Sequence, residues 1–490
     1  MKKNKILLLL VATAFMVNVS CTEWLETEPR HAIDGEIALN DMAGIEGAII
    51  GMYDILQSGN YYGRDMFVAG DLLSDNAEIT TSHTNRFPGH PTNVVGAGFG
   101  EDVTVWTNAY RIINIANLIL HHVGNVTDGT PERIRHARGQ AYFMRGLAYF
   151  DLLRIYARNP NHPVGQPLGV IHKLTPFAGI DEQTFGTRST ILQGYQLVES
   201  DLLMAEDSLH VTADFPYRAT RIAARALLAR LYLYWGRWSD ARTYAQQVRT
   251  DWGAATPWLA PPANYRNVFA ATPGVESIFE LRYELAEAQN INNSLQGILV
   301  RTEPGLLGYG DVMLREDLRT RFVAGDVRGV TAVGNVGNHM IQRHVKVGQT
   351  VHYTLKFNAY RGLTYWDDIE IIRTSEIHLT LAEADAHLFI LGDVAAGNAA
   401  FAAINELRVA RGLAPLATIP TAPLLLEEIL LQRRLELMFE GHRWFDLIRL
   451  GRGIPKPGGT ALGWDDFRTV MRIPLGERDA NPNLVQNPGY

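Results

Sequence analysis

QRRLELMFEGHRWFDLIR, residues 432–449, decides how the rest of the chain is read, because it joins a helical apolar stripe to a dense set of charges. Leu431, Leu435 and Met438 recur at steps of four and three, which puts them on one face of a helix, with Arg433, Glu436 and Glu440 on its flanks. Burying a charge costs free energy unless it is paired, so this density implies an interlocked ion network. Gly441 is expected to break the helix. In the turn that follows, Trp444, Phe445, Leu447 and Ile448 supply apolar bulk, and Asp446 stands three residues before Arg449, a spacing that allows an ion pair. A structural role for Glu436 and Glu440 is preferred to a catalytic one, since a carboxylate pair without a pocket carries little catalytic information.

At the other end, Lys2, Lys3 and Lys5 precede an apolar run over 6–17, and Ser20 stands directly before Cys21, the layout of a secretory signal over residues 1–20. That run of about twelve residues is shorter than the ~20 a spanning helix needs. Cys21 is the only cysteine, which excludes an intramolecular disulfide and a cysteine-based metal cluster. Loss of the three lysines takes the formal charge from −7 to −10, and an acidic body is poorly suited to nucleic acid, so no nucleic-acid partner is expected. With 47% hydrophobic and 20% charged residues, a large packed interior is expected. No Gly/Ser- or Pro-rich linker divides the chain. One body over 21–490 is therefore expected, with a helical scaffold over about 40–250 and 369–450 and loop-rich insertions over 58–102 and 250–368.

Helical periodicity is strongest over 106–123, 131–157, 191–208, 220–249, 371–391 and 399–412. From Leu228 to Val248 the order of small and aromatic residues follows the tetratricopeptide pattern, with Gly236 ending one helix and Ala241 allowing close approach of the next; a weaker copy runs from Ala382 through Gly392 to Leu407. The fold class expected is mainly α, a tetratricopeptide-like superhelix with long loop insertions and a little β. Segments 58–102, 158–189, 250–320 and 324–368 do not look helical. In the last of them Val351, Tyr353, Leu355 and Phe357 alternate with polar residues, the period of a half-buried strand.

Residues 432–449 also resemble the C-terminal signature of SusD-like (SusD/RagB) outer-membrane proteins, through Arg433, Arg434, Glu436 and Leu437 and then Phe439, Glu440, Gly441, Arg443, Phe445, Asp446, Leu447 and Arg449. The closing Gln486-Asn487-Pro488-Gly489-Tyr490 is similar to that family's last motif. Trp106–Arg111 resembles its first core helix, and Arg145, Tyr149, Phe150, Asp151 and Leu152 its next. Asp201, Leu202 and Ala205, then Asn405, Arg408 and Gly412, fit later helices. The resemblance implies a binding protein without a catalytic centre or cofactor, paired with a SusC-like TonB-dependent transporter whose mouth it covers while holding an oligosaccharide. It further implies that Cys21 is a lipobox cysteine, acylated to anchor the protein in the outer membrane facing the exterior, although Asn18 stands where lipoboxes usually carry Leu. A RagB-type peptide binder on the same scaffold and a lipid-anchored glycoside hydrolase are the alternatives.

The sequence contains no GxSxG elbow, P-loop or dinucleotide fingerprint, and the His121-His122 pair cannot turn both rings to one helical face, so no metal site is expected. A glycan calls for aromatic rings against its apolar faces, bordered by Asn, Asp and Arg. Two loops carry such residues. The first holds Asn76, Arg86, Phe87, His90 and Phe99, and the second Tyr283, Asn290, Asn292, Asn293 and Tyr309. Asn76, Arg86, Phe87, Tyr283, Asn293 and Tyr309 are the candidate ligand contacts, each with packing on the scaffold as its alternative role. Trp366 and Trp444 are assigned to the core. Truncating Phe87 or Tyr309 is expected to weaken ligand binding at unchanged melting temperature.

Overall fold

Caps and glycines set the helix boundaries that periodicity left approximate. The computed structural model describes residues 39–490 apart from 88, 90–92, 94–100, 163–166, 178–184, 212–214, 255, 301–307, 332–338 and 457–460. The leader, Cys21, His90 and Phe99 lie outside the described residues. Helix α1 spans Met42–Gln57, α2 Asp65–Leu72, α3 Glu101–His122, α4 Pro131–Tyr156, α5 Ile191–Ser208, α6 Arg221–Trp235 and α7 Trp238–Trp252. After the long insertion come α8 Thr374–Ile390, α9 Val394–Ala410, α10 Ala422–Glu436 and α11 Arg443–Arg449. Asp41 caps α1 by accepting from the Gly44 amide at 2.8 Å, and Thr190 and Gln193 form a reciprocal capping box on α5. Thr130 caps α4, with Pro131 at its first position, where the missing N–H costs nothing.

Gly236 ends α6 in the left-handed conformation, φ +74°, and Ala241, Ala245 and Val248 of α7 have no exposed surface. The tetratricopeptide pattern therefore works as read: small residues let two antiparallel helices approach closely. Gly392, φ +103°, does the same between α8 and α9. From α3 to α9 each helix packs on the next, and α10 closes on α8. The result is a tetratricopeptide-like helical stack whose core runs on from pair to pair.

Several boundaries differ from the periodicity. Helix α2 lies in the segment expected to be non-helical, because Asp65, Met66, Phe67, Val68, Asp71 and Leu72 are all buried and no polar face marks a period. Residues expected to open a helix at 371 belong instead to a strand, Ile369–Arg373, paired antiparallel with Ser277–Leu281; three isoleucines in four positions suit a buried strand. Helix α9 starts five residues early, at Val394, where Asp393 accepts from the Ala396 amide at 3.0 Å. The expected strand is real but runs over Gln349–Thr354, in a hairpin with Ile341–Lys346.

Helix α10 ends at Glu436, not at Gly441. Met438 and Glu440 therefore sit in a turn, where Phe439 and Gly441 take φ of +60° and +76°. A Cβ on Gly441 would lie 2.6 Å from the Met66 carbonyl oxygen, and one on Gly70 would lie 2.3 Å from that of Gly441. The turn is thus pressed against α2 at backbone distance, and only glycine fits at either position.

Arg433 and Glu436 are buried, 1% and 0% exposed, rather than flanking an open face. Arg373 donates to Glu436 Oε1 at 2.8 Å, to Glu440 Oε2 at 2.7 Å and to Glu276 Oε2 at 3.1 Å. Arg411 donates to Glu436 Oε2 at 2.8 Å and to Glu276 Oε1 at 3.0 Å. Arg328 reaches Glu436 at 3.4 Å, and Lys356 pairs with Glu440. Glu276, Arg328 and Lys356 come from the insertion, whereas Arg373, Arg411, Glu436 and Glu440 come from the scaffold. The network rivets one to the other. Burial opposes ionisation of Glu436, yet Arg411 and Arg373 outweigh it and hold the carboxyl well below its usual range. Glu436 is thereby a fixed counter-charge, not a proton carrier.

Candidate functional site

The two candidate loops leave one small sheet. Strand Ala77–Ile79 pairs antiparallel with Val312–Leu314, so residues 80–87 and 309–311 emerge side by side. The Thr80 amide donates to the Asp311 carbonyl at 2.8 Å and that of Thr84 to the Asp311 carboxylate at 3.1 Å. Beneath them the ammonium of Lys346, 4% exposed, donates to the carbonyls of Tyr309 and Gly310 at 2.8 Å and to Thr80 Oγ1 at 3.0 Å. A buried cation with three oxygen partners gives both loops a rigid base.

On that base the Arg86 guanidinium lies over the Tyr309 ring, 4.5 Å from its centroid, and donates to Asn292 Oδ1. The Tyr309 hydroxyl donates to the same Asn292 oxygen at 3.0 Å. Arg86 and Tyr309 are half-buried, Asn292 and Asn293 exposed. Asn290 shapes the turn by accepting the Asn292 amide on its side chain at 2.8 Å and the Asn293 amide on its carbonyl at 3.1 Å. Half-buried Tyr365 stands nearby, its hydroxyl pushed up by burial and by Tyr309. The assembly is a surface carrying flat π faces and free amide groups.

The remaining candidates fall elsewhere. Asn76 is fully buried; it donates to Asp71 at 2.7 Å and accepts from Arg434 at 2.8 Å, tying α10 to α2's loop. Phe87 is 2% exposed, below the Arg64 guanidinium. Tyr283 is 1% exposed, and its hydroxyl donates to the Gln57 carbonyl at 2.8 Å. These three side chains are held by the frame, whereas Arg86, Asn293 and Tyr309 reach solvent. Trp444 is in the core. Trp366 is only partly buried, under the Arg361 guanidinium at 3.9 Å. Asn292, Lys346 and Tyr365 are neighbours of that surface that the candidate set omits. Asn292 had a signal in its Asn-rich turn; Lys346 had none, because Thr80, Tyr309, Gly310 and Asp311 lie 35 or more positions away from it.

Glu280 and Glu370 face each other across the Ser277–Leu281 and Ile369–Arg373 ladder. Burial, with Asp368 nearby, pushes Glu280 up to about 7, and burial together with Glu280 holds Glu370 well above its usual range. A raised carboxyl contributes stability that is complete below its unfolded value and is lost as pH rises through the folded one. Between about pH 4.5 and 7, then, the Glu280 contribution to stability falls, by on the order of 3 kcal/mol. Glu280→Gln should flatten the urea-unfolding free energy across that window; an unchanged slope would count against the shared-burial account. Among the described residues no group of three His, Cys, Asp or Glu side chains could hold a metal ion, and no helix is long and apolar enough to cross a membrane.

A family model described as "Starch-binding associating with outer membrane" matches residues 23–233, and one described as "SusD family" matches residues 331–490. Two proteins of Formosa agariphila align over 100% of this chain. SusD-like protein P38 is 24% identical, with 99% of its own length covered, and SusD-like protein P2 is 25% identical, with 100% covered. Among solved structures, a SusD superfamily protein from Bacteroides vulgatus superposes with a TM-score of 0.80 at 26% identity, over 92% of this chain and 99% of that one. A laminarin-binding SusD-like protein superposes with a TM-score of 0.71 over 92% and 100%; at 21% identity this likeness shows the fold alone.

Proposed function

The chain belongs to the SusD-like family, and from that premise we propose that it binds carbohydrate on the surface formed by Arg86, Asn292, Asn293 and Tyr309. One observation carries the reading: residues from two loops more than 200 positions apart converge on a half-exposed tyrosine ring bordered by a guanidinium and amides. Such a surface offers a π face to the apolar side of a sugar ring, and donors and acceptors to its hydroxyls. It is open rather than enclosed, which suits a segment within a long chain more than a small isolated molecule.

In this proposal the protein captures rather than cleaves. The carboxylate pair weighed from the sequence, Glu436 with Glu440, is buried and locked in ion pairs with Arg373, Arg411 and Lys356. The proposed setting is the outer membrane, with Cys21 acylated, the body facing outward, and a SusC-like TonB-dependent transporter receiving the oligosaccharide. Individually weak contacts are enough there, because ligand held between two surfaces is at high effective concentration. Isothermal titration of the purified protein against starch, laminarin and other glycans, beside a peptide pool, tests the reading. Glycan binding is expected; peptide binding without glycan binding would overturn it in favour of the peptide alternative, and reducing-sugar release would overturn the non-catalytic role.

A further inference from the structure

One opening lies away from that surface, where residues 487–490 fold back against Arg158, His162, Leu168 and residues 464–470. It encloses ≈ 290 Å³, against ≈ 20 Å³ or less in the interior cavities beside Tyr283, Tyr195 and Arg230. Those cavities have room for a water, whereas this one approaches the size of small-molecule pockets. Its floor is rigid: Asn487 donates to the carbonyls of Tyr156 and Met471 at 2.9 and 2.7 Å and accepts from Arg188 at 2.8 Å.

One wall is aromatic. Gly489, φ +96°, lies on the Phe467 ring so closely that a Cβ there would be 2.4 Å from Phe467 Cγ, and Tyr490 meets the ring edge-on at 5.0 Å. Phe467 nonetheless stays 39% exposed and lines the opening with Pro488. The ring is thus fixed on one side by the glycine contact and open to the cleft on the other.

The polar rim narrows what that is. Arg158 is fixed by the Trp464 and Asp465 carbonyls at 3.4 and 3.1 Å and by Thr469 Oγ1 at 2.6 Å, leaving N–H groups of its five to spare. The exposed Asp465 carboxylate accepts no hydrogen bond from any described residue. An acid and a base on one rim offset each other for a charged ligand, while a neutral polyhydroxylated ligand can donate to one and accept from the other. We propose that this cleft is a second carbohydrate site, which takes a terminal sugar or short branch against Phe467 between Arg158 and Asp465. It shares no lining residue with the Arg86–Tyr309 surface, and its ligand class rests on the carbohydrate reading above.

Isothermal titration of the full chain with laminaritriose and maltotriose, or with the shortest member of whichever panel glycan binds, tests this. Two binding events per chain are expected. Phe467→Ala and, without disturbing any packing, Asp465→Asn should each weaken one event at least tenfold and spare the other, while Tyr309→Ala does the converse. A single event that Tyr309→Ala removes and Asp465→Asn leaves untouched would overturn the second site alone. A cleft event seen only with peptides would overturn its ligand class, and no glycan binding by any variant would overturn both readings.

Discussion

Glu436→Ala is expected to destabilise the protein by on the order of 3–5 kcal/mol, the cost of leaving buried charges without their partner. Arg411 loses both of its hydrogen bonds to this carboxylate, Arg373 and Arg328 lose one each, and none of the three has solvent access. With an unfolding entropy of about 2.1 cal/mol/K per residue, each kcal/mol moves the midpoint of a chain this long by roughly 1 °C, so a fall of about 3–5 °C should appear in calorimetry. Glu427, in a largely exposed pair with Arg452, is the control, because such pairs contribute at most about 1 kcal/mol. A Glu436→Ala shift no larger than that of Glu427→Ala would remove the network from the account. The sign with pH is also determined. A carboxyl held low contributes stability that is complete above its unfolded value and is lost progressively as pH falls from there towards the folded one, so below about pH 4.5 stability should fall more steeply in the wild type than in Glu436→Ala.

Tyr309→Ala should weaken glycan binding at least tenfold, about 1.4 kcal/mol or more, and leave the melting temperature nearly unchanged, since the ring is half-exposed and caps no cavity. Tyr309→Phe keeps the stacking face and loses only the bond to Asn292, so it should retain most of the affinity. Phe87→Ala should do the opposite of what its loop position implies. At 2% exposure its truncation leaves a cavity, and about 3–5 kcal/mol of stability should go with it. Wild-type affinity in Tyr309→Ala, measured in the same titrations, would place the glycan elsewhere.

The contrast between Tyr309 and Phe87 shows where sequence reading stops. Both are aromatic residues in polar, glycine-containing loops, and composition treats them alike. What separates them is the sheet pairing of Ala77–Ile79 with Val312–Leu314, which turns Arg86 outward onto Tyr309 and Phe87 inward beneath Arg64. Helix α2 was hidden for a related reason: a helix buried on every side has no polar face, and so no period to detect.

Within a single helix or turn, neighbours in space are neighbours in sequence. The start and stop of α6, the close approach of α7 and the Asp446–Arg449 pair at 2.8 Å were therefore determined by the sequence alone. That the charges of 432–449 must be paired also followed, because burial of unpaired charge is too costly. Which partners they take was decided only by the tertiary structure. Arg328, Lys356, Arg373 and Arg411 lie 25 to 108 positions from Glu436, and no local period links them. The same holds for the site: Arg86 and Tyr309 become one surface only when distant strands pair, since long-range contact depends on the whole fold rather than on any segment's own preference.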